Sequence, residues 1–542
     1  MQGISEKQAF LQKWRVPIAL WLALFVVSFN VYVMTVAMVP IARDFGTPIG
    51  TVQNALVLIS LVTASFVPTS QNLGDIYGHK KLFVIGLTFF GAGLVVTALS
   101  PNATTLVLGY SIIGGLGATP LVTLPWTLMN RRYVGRRREF ALLALTVAIV
   151  TGSLVGPLVG GYFSTTGDWR WAFGPQVVVV IIIWLLARPV QEIIRTPDTS
   201  IDWLGGALSF LGLATILVGL DLGNEYGWWT SKKVFRIGSF VLPPFSLSIV
   251  PILMTTGLVL LMVFAFYWRR RAAVQNQTLL WRLGLFRRPK FAVGVATSVL
   301  YAIGVAGLTF TLYLFLQTAL ELTSFETAFA ILPYHVTMIL VILATFQLGR
   351  RLAPKIIIQV GLVVLMLGLW LLHNMLILGI TVGQLIPGLV VTGIGAGLVV
   401  SQMARLARST VDSEAQGEFS GIYNTLQDLG YSLGIAIFGV GLIYLTSAAV
   451  VDAVLQKLDT TATDTQRQTI IAELEESLQI LSEEELTEII KQLPVATQQA
   501  VAEVVKDAEF EAMQSTLRGI MMAILLALVA SLFLPHRKIT LS

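Results

Sequence analysis

Cysteine is absent from all 542 residues, which excludes disulfides, thiol nucleophiles and thiolate metal sites. Charge is also scarce. Only 12% of the residues are charged, against about 25% in soluble domains. Histidine occurs four times, at His79, His335, His373 and His536, and the four are widely separated. No cluster of histidines and acids has the spacing of a metal site, and no Gly-x-x-x-x-Gly-Lys-Ser/Thr run is present to cradle a nucleotide. The sequence therefore calls for no metal and no cofactor, and it argues against an intramembrane enzyme and an ATP-driven pump. The net charge of +6 falls in short clusters between apolar runs and marks no nucleic-acid partner.

What the chain has is apolar length. Hydrophobic residues make up 55% of it, and a membrane-spanning helix needs about 20 in a row. Fourteen such runs are present, at 16–40, 50–70, 82–100, 104–128, 140–163, 171–188, 202–221, 240–267, 291–317, 325–348, 356–377, 381–404, 417–447 and 517–534. The pattern is that of an all-α integral membrane protein, with membrane lipids as its surroundings. The first run is as long as a full span, so it does not read as a cleavable signal peptide. Loops on one side carry Lys13 and Arg15, Lys80 and Lys81, Arg131 to Arg138, Arg269 to Lys290, Arg350 to Lys355, and Arg537. Basic loops face the cytoplasm. Both termini are thus expected there, in a multi-pass protein of the plasma (inner) membrane. Trp169 and Trp171 fall at span ends and read as interfacial anchors.

One loop stands apart. Residues 449–516 hold fourteen acidic and four basic residues and should lie outside. Ile470, Ile471, Leu474, Leu478 and Leu481 repeat at helical spacing, and Ser482 with Glu485 forms a capping-box pattern. A helical insertion is expected, acting as a lid or as a docking surface for an extracytoplasmic partner.

Several stretches carry candidate chemistry. Gly152, Gly156 and Gly160 are spaced i, i+4, i+8 beside Pro157 and Gly161. Such a smooth stripe lets two membrane helices approach closely. The turn Asp75-Ile-Tyr-Gly78-His-Lys80-Lys81 can serve as a conformational latch at a helix end. An echo follows the tenth span, where aligning Leu73-Gly74 on Leu348-Gly349 places Lys80 on Lys355. In span 13, Ser420, Asn424, Gln427, Asp428 and Tyr431 form one polar stripe on an apolar helix. A carboxylate that deep in a bilayer costs several kcal/mol unless it is paired, hydrated or protonated. Asp428 is therefore a candidate proton or substrate site, with Asn424 and Gln427 beside it. His335 is a second candidate, because histidine titrates near neutral pH. Glu326 is a possible cavity-mouth acid.

These motifs resemble the major facilitator superfamily, in its fourteen-span drug:proton antiporter branch. Asp75 to Lys81 resembles the superfamily's loop signature. Gly152 to Gly161 matches the antiporter signature of span 5, and Asp168-Trp169-Arg170-Trp171 resembles the entry to span 6. The resemblance implies two six-helix bundles plus two inserted helices. The bundles would be residues 1–188 and 291–542, with the extracytoplasmic helical loop inside the second and residues 189–290 between them. It also places the glycine motif at the contact between the bundles, and it puts Asn30, Tyr32, Tyr110, Thr119, Thr123 and Trp126 among cavity-lining candidates. The chain departs from the family where Gln71 replaces a loop glycine, Tyr110 replaces an arginine of span 4 and Val31 replaces an aspartate of span 1. Spans 1 to 6 then hold no charge in mid-membrane. The implied activity is export of small hydrophobic or amphiphilic compounds by alternating access, coupled to proton antiport. A lipid or lipophilic-metabolite translocator not driven by protons is the alternative.

Overall fold

The computed structural model describes residues 6–47, 49–188, 203–226, 229, 235–237, 240–242, 247–274, 288–348, 352–408, 416–457, 463, 466–467, 470–471, 474 and 495–535. Nearly all of these are helical. In lipid each backbone N–H and C=O must be paired within its own segment, and an α-helix does this without neighbours.

The long helices are α1 (Glu6–Phe45), α2 (Ile49–Tyr77) and α3 (His79–Ala98). Helix α4 runs through Ala103–Val107, a π turn at Leu108–Ile113, and Gly114–Arg132. There follow α5 (Gly135–Thr166), a 3-10 turn at Trp169–Phe173, α6 (Gly174–Ala187), α7 (Trp203–Tyr226) and α8 (Ile249–Val274). The rest are α9 (Pro289–Thr318), α10 (Ser324–Leu348), α11 (Pro354–Met375), α12 (Val382–Arg408), α13 (Gln416–Lys457) and α14 (Val495–Ser531). Thirteen helices are long and apolar enough to cross a membrane, and α7 contributes a shorter apolar stretch at Leu204–Ile216. Their outward sides are unusually apolar. Ile181 and Leu185 on α6, Val259 and Phe266 on α8, and Leu340 and Leu343 on α10 are all exposed, as lipid-facing side chains should be.

Helices α1 to α6 pack together, and so do α9 to α14. Helices α7 and α8 pair with each other through Gly212, Gly219 and Gly257, and α7 leans on α2, where Phe66 meets Phe210 edge-on. A small antiparallel hairpin joins them, pairing Phe235 with Leu242 and Ile237 with Phe240. We did not expect it from hydropathy, but Gly238-Ser239 between two apolar runs is a two-residue turn signal.

The two halves repeat one device. Gly78, at φ 102, makes the turn from α2 to α3, a conformation that suits glycine. Two residues on, Lys80 Nζ donates to the Arg188 carbonyl at 2.6 Å, at the end of α6. In the second half Lys355, at the start of α11, donates to the Leu532 carbonyl at 2.7 Å, at the end of α14. Each lysine thus caps the last helix of its own bundle, where the unpaired carbonyls carry partial negative charge. Lys80→Met and Lys355→Met should each lower stability by about 0.3–1 kcal/mol. Matched small decreases in melting temperature in detergent would check this; a large loss at one site alone would contradict the parallel.

On the opposite face Arg170 ties three segments. Its guanidinium bridges Asp44 at 2.9 Å and Asp168 at 3.2 Å, and donates to the Ser100 carbonyl at 3.0 Å. It also lies 4.4 Å from the Trp169 ring centroid, and Trp169 Nε1 donates to Asp44 at 3.2 Å. Trp169 is therefore buried in this clasp rather than floating at the interface, whereas Trp171 is exposed.

The segment 449–516 is partly a continuation of its flanking spans. Helix α13 runs on to Lys457 and α14 begins at Val495. Asp452 pairs with Arg467 at 2.5 Å, while Ile471 packs on Ala448 and Val451. The Ser482–Glu485 capping box lies outside the described residues.

Candidate substrate cavity

A cavity of about 280 Å³ lies between the two groups of six helices. Helix α1 supplies one wall with Ser28, Tyr32 and Thr35, a stripe spaced i, i+4, i+7. Helix α4 adds Val122 and Trp126, and α5 adds Thr146 and Ile149. From the other half come Tyr301, Thr309 and Phe310 on α9, Met403 on α12, and Tyr423, Gln427, Asp428 and Tyr431 on α13. Among the described residues, Asp428 is the one charged residue of the lining. Its Oδ2 atom is buried with no hydrogen-bond partner among the described residues.

The sequence candidates divide on this geometry. Tyr32, Trp126, Gln427 and Asp428 line one cavity. The backbone of Asn424 belongs to α13, but its side chain, like those of Ser420 and Asp75, is outside the described residues. Thr119 and Thr123 are buried within the first bundle, bonded to the carbonyls of Gly115 and Thr119. Asn30 and Tyr110 are buried too, away from the lining, with Asn30 Oδ1 and the Tyr110 hydroxyl lacking hydrogen-bond partners among the described residues. His335 sits one ring behind the wall: its imidazole meets Tyr32 edge-on at 5.7 Å, and its Nε2 is buried without a hydrogen-bond partner among the described residues. Glu326 is exposed and closes a capping box with Thr323, accepting from its backbone N–H at 2.9 Å and its hydroxyl at 2.8 Å. It starts α10 and does not face the cavity. The pattern Thr323-x-x-Glu326 was readable for what it is. So was the polar stripe Ser28, Tyr32 and Thr35, which the sequence reading had reduced to Tyr32.

Contacts between the halves bound the cavity. Toward the face of Asp44 and Arg170, the Tyr32 ring meets Tyr313 of the other bundle edge-on at 6.5 Å. Beyond it Ser324 donates to the Val36 carbonyl at 3.0 Å, and the Phe325 N–H donates to Thr165 at 3.2 Å. The glycine motif belongs only in part to this contact. Added Cβ atoms at Gly152, Gly156 and Gly160 would meet α1 of the same bundle, whereas one at Gly161 would come within 2.6 Å of the Ser324 carbonyl in the other. On the basic face, Arg405 of α12 pairs with Glu139 of α5 at 3.5 Å, again across the halves. Such a half-buried pair contributes at most about 1 kcal/mol. Glu139→Gln should leave the melting temperature nearly unchanged while raising maleimide labelling of Thr146→Cys from that face several-fold. The absence of native cysteine makes the readout clean, and unchanged labelling would contradict a latch at this pair.

Residues 20–435 match the Major Facilitator Superfamily. The chain belongs to that superfamily. It is a multi-pass membrane transport protein. It is 29% identical over 438 residues to the probable actinorhodin transporter of Streptomyces coelicolor, covering 78% of this chain and 71% of that one. It is 24% identical over 428 residues to the multidrug resistance protein Stp of Mycobacterium tuberculosis, covering 78% and 74%. Its fold resembles a solved bacterial homologue of the human lysosomal transporter Spinster, in an inward-facing and unoccupied conformation, with a TM-score of 0.58, 14% identity and 98% of each chain covered.

Proposed function

We propose that this transporter exports hydrophobic or amphiphilic organic compounds from the cytoplasm in exchange for protons. The two bundles rock about the central cavity and expose it to one side at a time. The observation that carries the reading is Asp428, the single carboxylate among the described lining residues of a chamber shared by both halves. A buried carboxylate needs a proton or a partner, so cargo and proton compete for it. On the inner side cargo displaces the proton; on the outer side a proton displaces cargo. The names of the relatives support drug-like cargo, and the basic loops support cytoplasmic termini in the plasma membrane, with 449–516 outside.

Purified protein in proteoliposomes should accumulate a lipophilic dye when a proton gradient is imposed, and a protonophore should abolish the accumulation. Transport that persists after the gradient is collapsed would favour a translocator not driven by protons.

A further inference from the structure

The outward part of α14 carries Lys506, Phe510 and Gln514 at i, i+4, i+8, one stripe of a helix. All three hold the outer ends of neighbouring helices. Lys506 Nζ pairs with Glu321, just past the end of α9, at 3.0 Å. The Phe510 ring meets Phe315, in the last turn of α9, edge-on at 5.1 Å. Gln514 donates to the Leu376 carbonyl, just past the end of α11, at 2.7 Å. The stripe belongs to the acidic stretch 449–516 that stood apart in the sequence.

The turn it holds is strained. Glu321 has φ 53 and is the one non-glycine residue with positive φ among the described residues. The Leu322 N–H donates to the Leu316 carbonyl, six residues back, at 3.1 Å, and the Ala319 N–H donates to the Phe315 carbonyl at 2.9 Å. The six-residue bond is that of a Schellman cap. Glu321 takes its left-handed position, where glycine is usual because other residues adopt that conformation at a cost. Phe315 is therefore held twice, its carbonyl by the cap and its ring by Phe510. Two residues later Ser324 donates to the Val36 carbonyl, and the Phe325 N–H donates to Thr165. The Thr323–Glu326 capping box fixes the chain between these points. So little slack remains that a shift of the turn moves the closure between the halves.

We infer that Lys506 and Glu321 are positioning residues for the outer closure. The outward part of α14 acts as a strut, holding the turn between α9 and α10 where Ser324 and Phe325 meet the first bundle. The inference rests on the export reading in one respect, that this closure is the one that opens to release cargo. An ion pair between exposed side chains is weak, so it biases the closure without locking it. Without the pair, the strained turn loses a restraint and the closure spends more time open.

Thr35 lines the cavity behind the closure, and the chain has no cysteine of its own. The test labels Thr35→Cys in right-side-out vesicles with a membrane-impermeant maleimide, alone and combined with Lys506→Met, Lys506→Arg or Glu321→Gly. Lys506→Met should raise the labelling rate about twofold to fivefold, the range an exposed ion pair supplies. Lys506→Arg keeps the charge and should label at the parent rate. Glu321→Gly separates positioning from stability, because it removes the pair and also relieves the left-handed strain. Its labelling should rise as in Lys506→Met, while its melting temperature stays unchanged or increases. Unchanged labelling in Lys506→Met and Glu321→Gly, or labelling that rises only where melting temperature falls, would overturn the inference. Dye accumulation by the cysteine-free chain decides the export reading separately. Accumulation with unresponsive labelling sinks the strut alone, whereas responsive labelling without accumulation keeps the strut and sinks export.

Discussion

Asp428→Asn should abolish gradient-driven accumulation. One proton exchanged per cargo across one pH unit provides about 1.4 kcal/mol, a concentration ratio of about tenfold. An uncoupled carrier brings the same cargo only to equal concentrations. The variant should therefore fall from a ratio near ten to one near unity, while still equilibrating cargo across the membrane. Asp428→Glu, which keeps the carboxylate, should retain accumulation. The isosteric amide removes a buried charge without changing shape, so misfolding should not intrude, and melting temperature and elution volume should be unchanged. Full accumulation by Asp428→Asn would remove Asp428 from the coupling step.

The second large effect separates two kinds of glycine in one motif. Gly152→Val places a side chain where even a Cβ would be 2.5 Å from the Phe25 carbonyl and 2.8 Å from Phe29 N, both backbone atoms of α1 in the same bundle. Backbone cannot rotate aside, so α1 and α5 must part. Overpacking of this kind costs about 1–3 kcal/mol or more, and a marked loss of melting temperature is expected. Gly161→Val meets backbone as well, at the Ser324 carbonyl and Phe325 Cα. There the obstruction lies between the halves, in a contact that the proposed alternating-access cycle opens. The bundles stay intact while that closure fails. Near-normal thermal stability is expected, with a several-fold rise in maleimide labelling of Thr35→Cys from the face that Gly161 seals. Equal thermal losses at the two glycines would contradict the distinction.

The membrane architecture was legible because length and hydropathy alone determine it. Of the fourteen apolar runs, thirteen coincide with described helices long enough to cross a membrane, and the run at 202–221 with the shorter apolar stretch of α7. The ends were less legible. Helices α13 and α14 extend well past the runs at 417–447 and 517–534, since a helix leaving lipid can continue with polar residues.

Helix rotation was the hardest feature to read. A helix that is apolar all round shows no face in its sequence. The family resemblance put Asn30 among the lining candidates with Tyr32, yet it lies two positions from both Ser28 and Tyr32. That is about 200° around a helix of 3.6 residues per turn, and the structure buries it away from the cavity. In α4, Tyr110 stands about 160° around from Trp126 at 3.6 residues per turn, and the structure buries Tyr110 away from the lining. Asp428 was legible for the opposite reason. Gln427, Asp428 and Tyr431 were polar residues where apolar ones would cost nothing, and all three reach the cavity.

Exchange of cargo for protons is most directly tested by running the cycle in reverse. Proteoliposomes with no pH difference and a pH-sensitive dye trapped inside would receive a pulse of cargo outside. Wild type should move protons in the opposite direction to the cargo, changing the internal dye signal, and Asp428→Asn should take up cargo with no dye response. Cargo uptake without proton movement in wild type, or an undiminished proton signal in Asp428→Asn, would contradict the account.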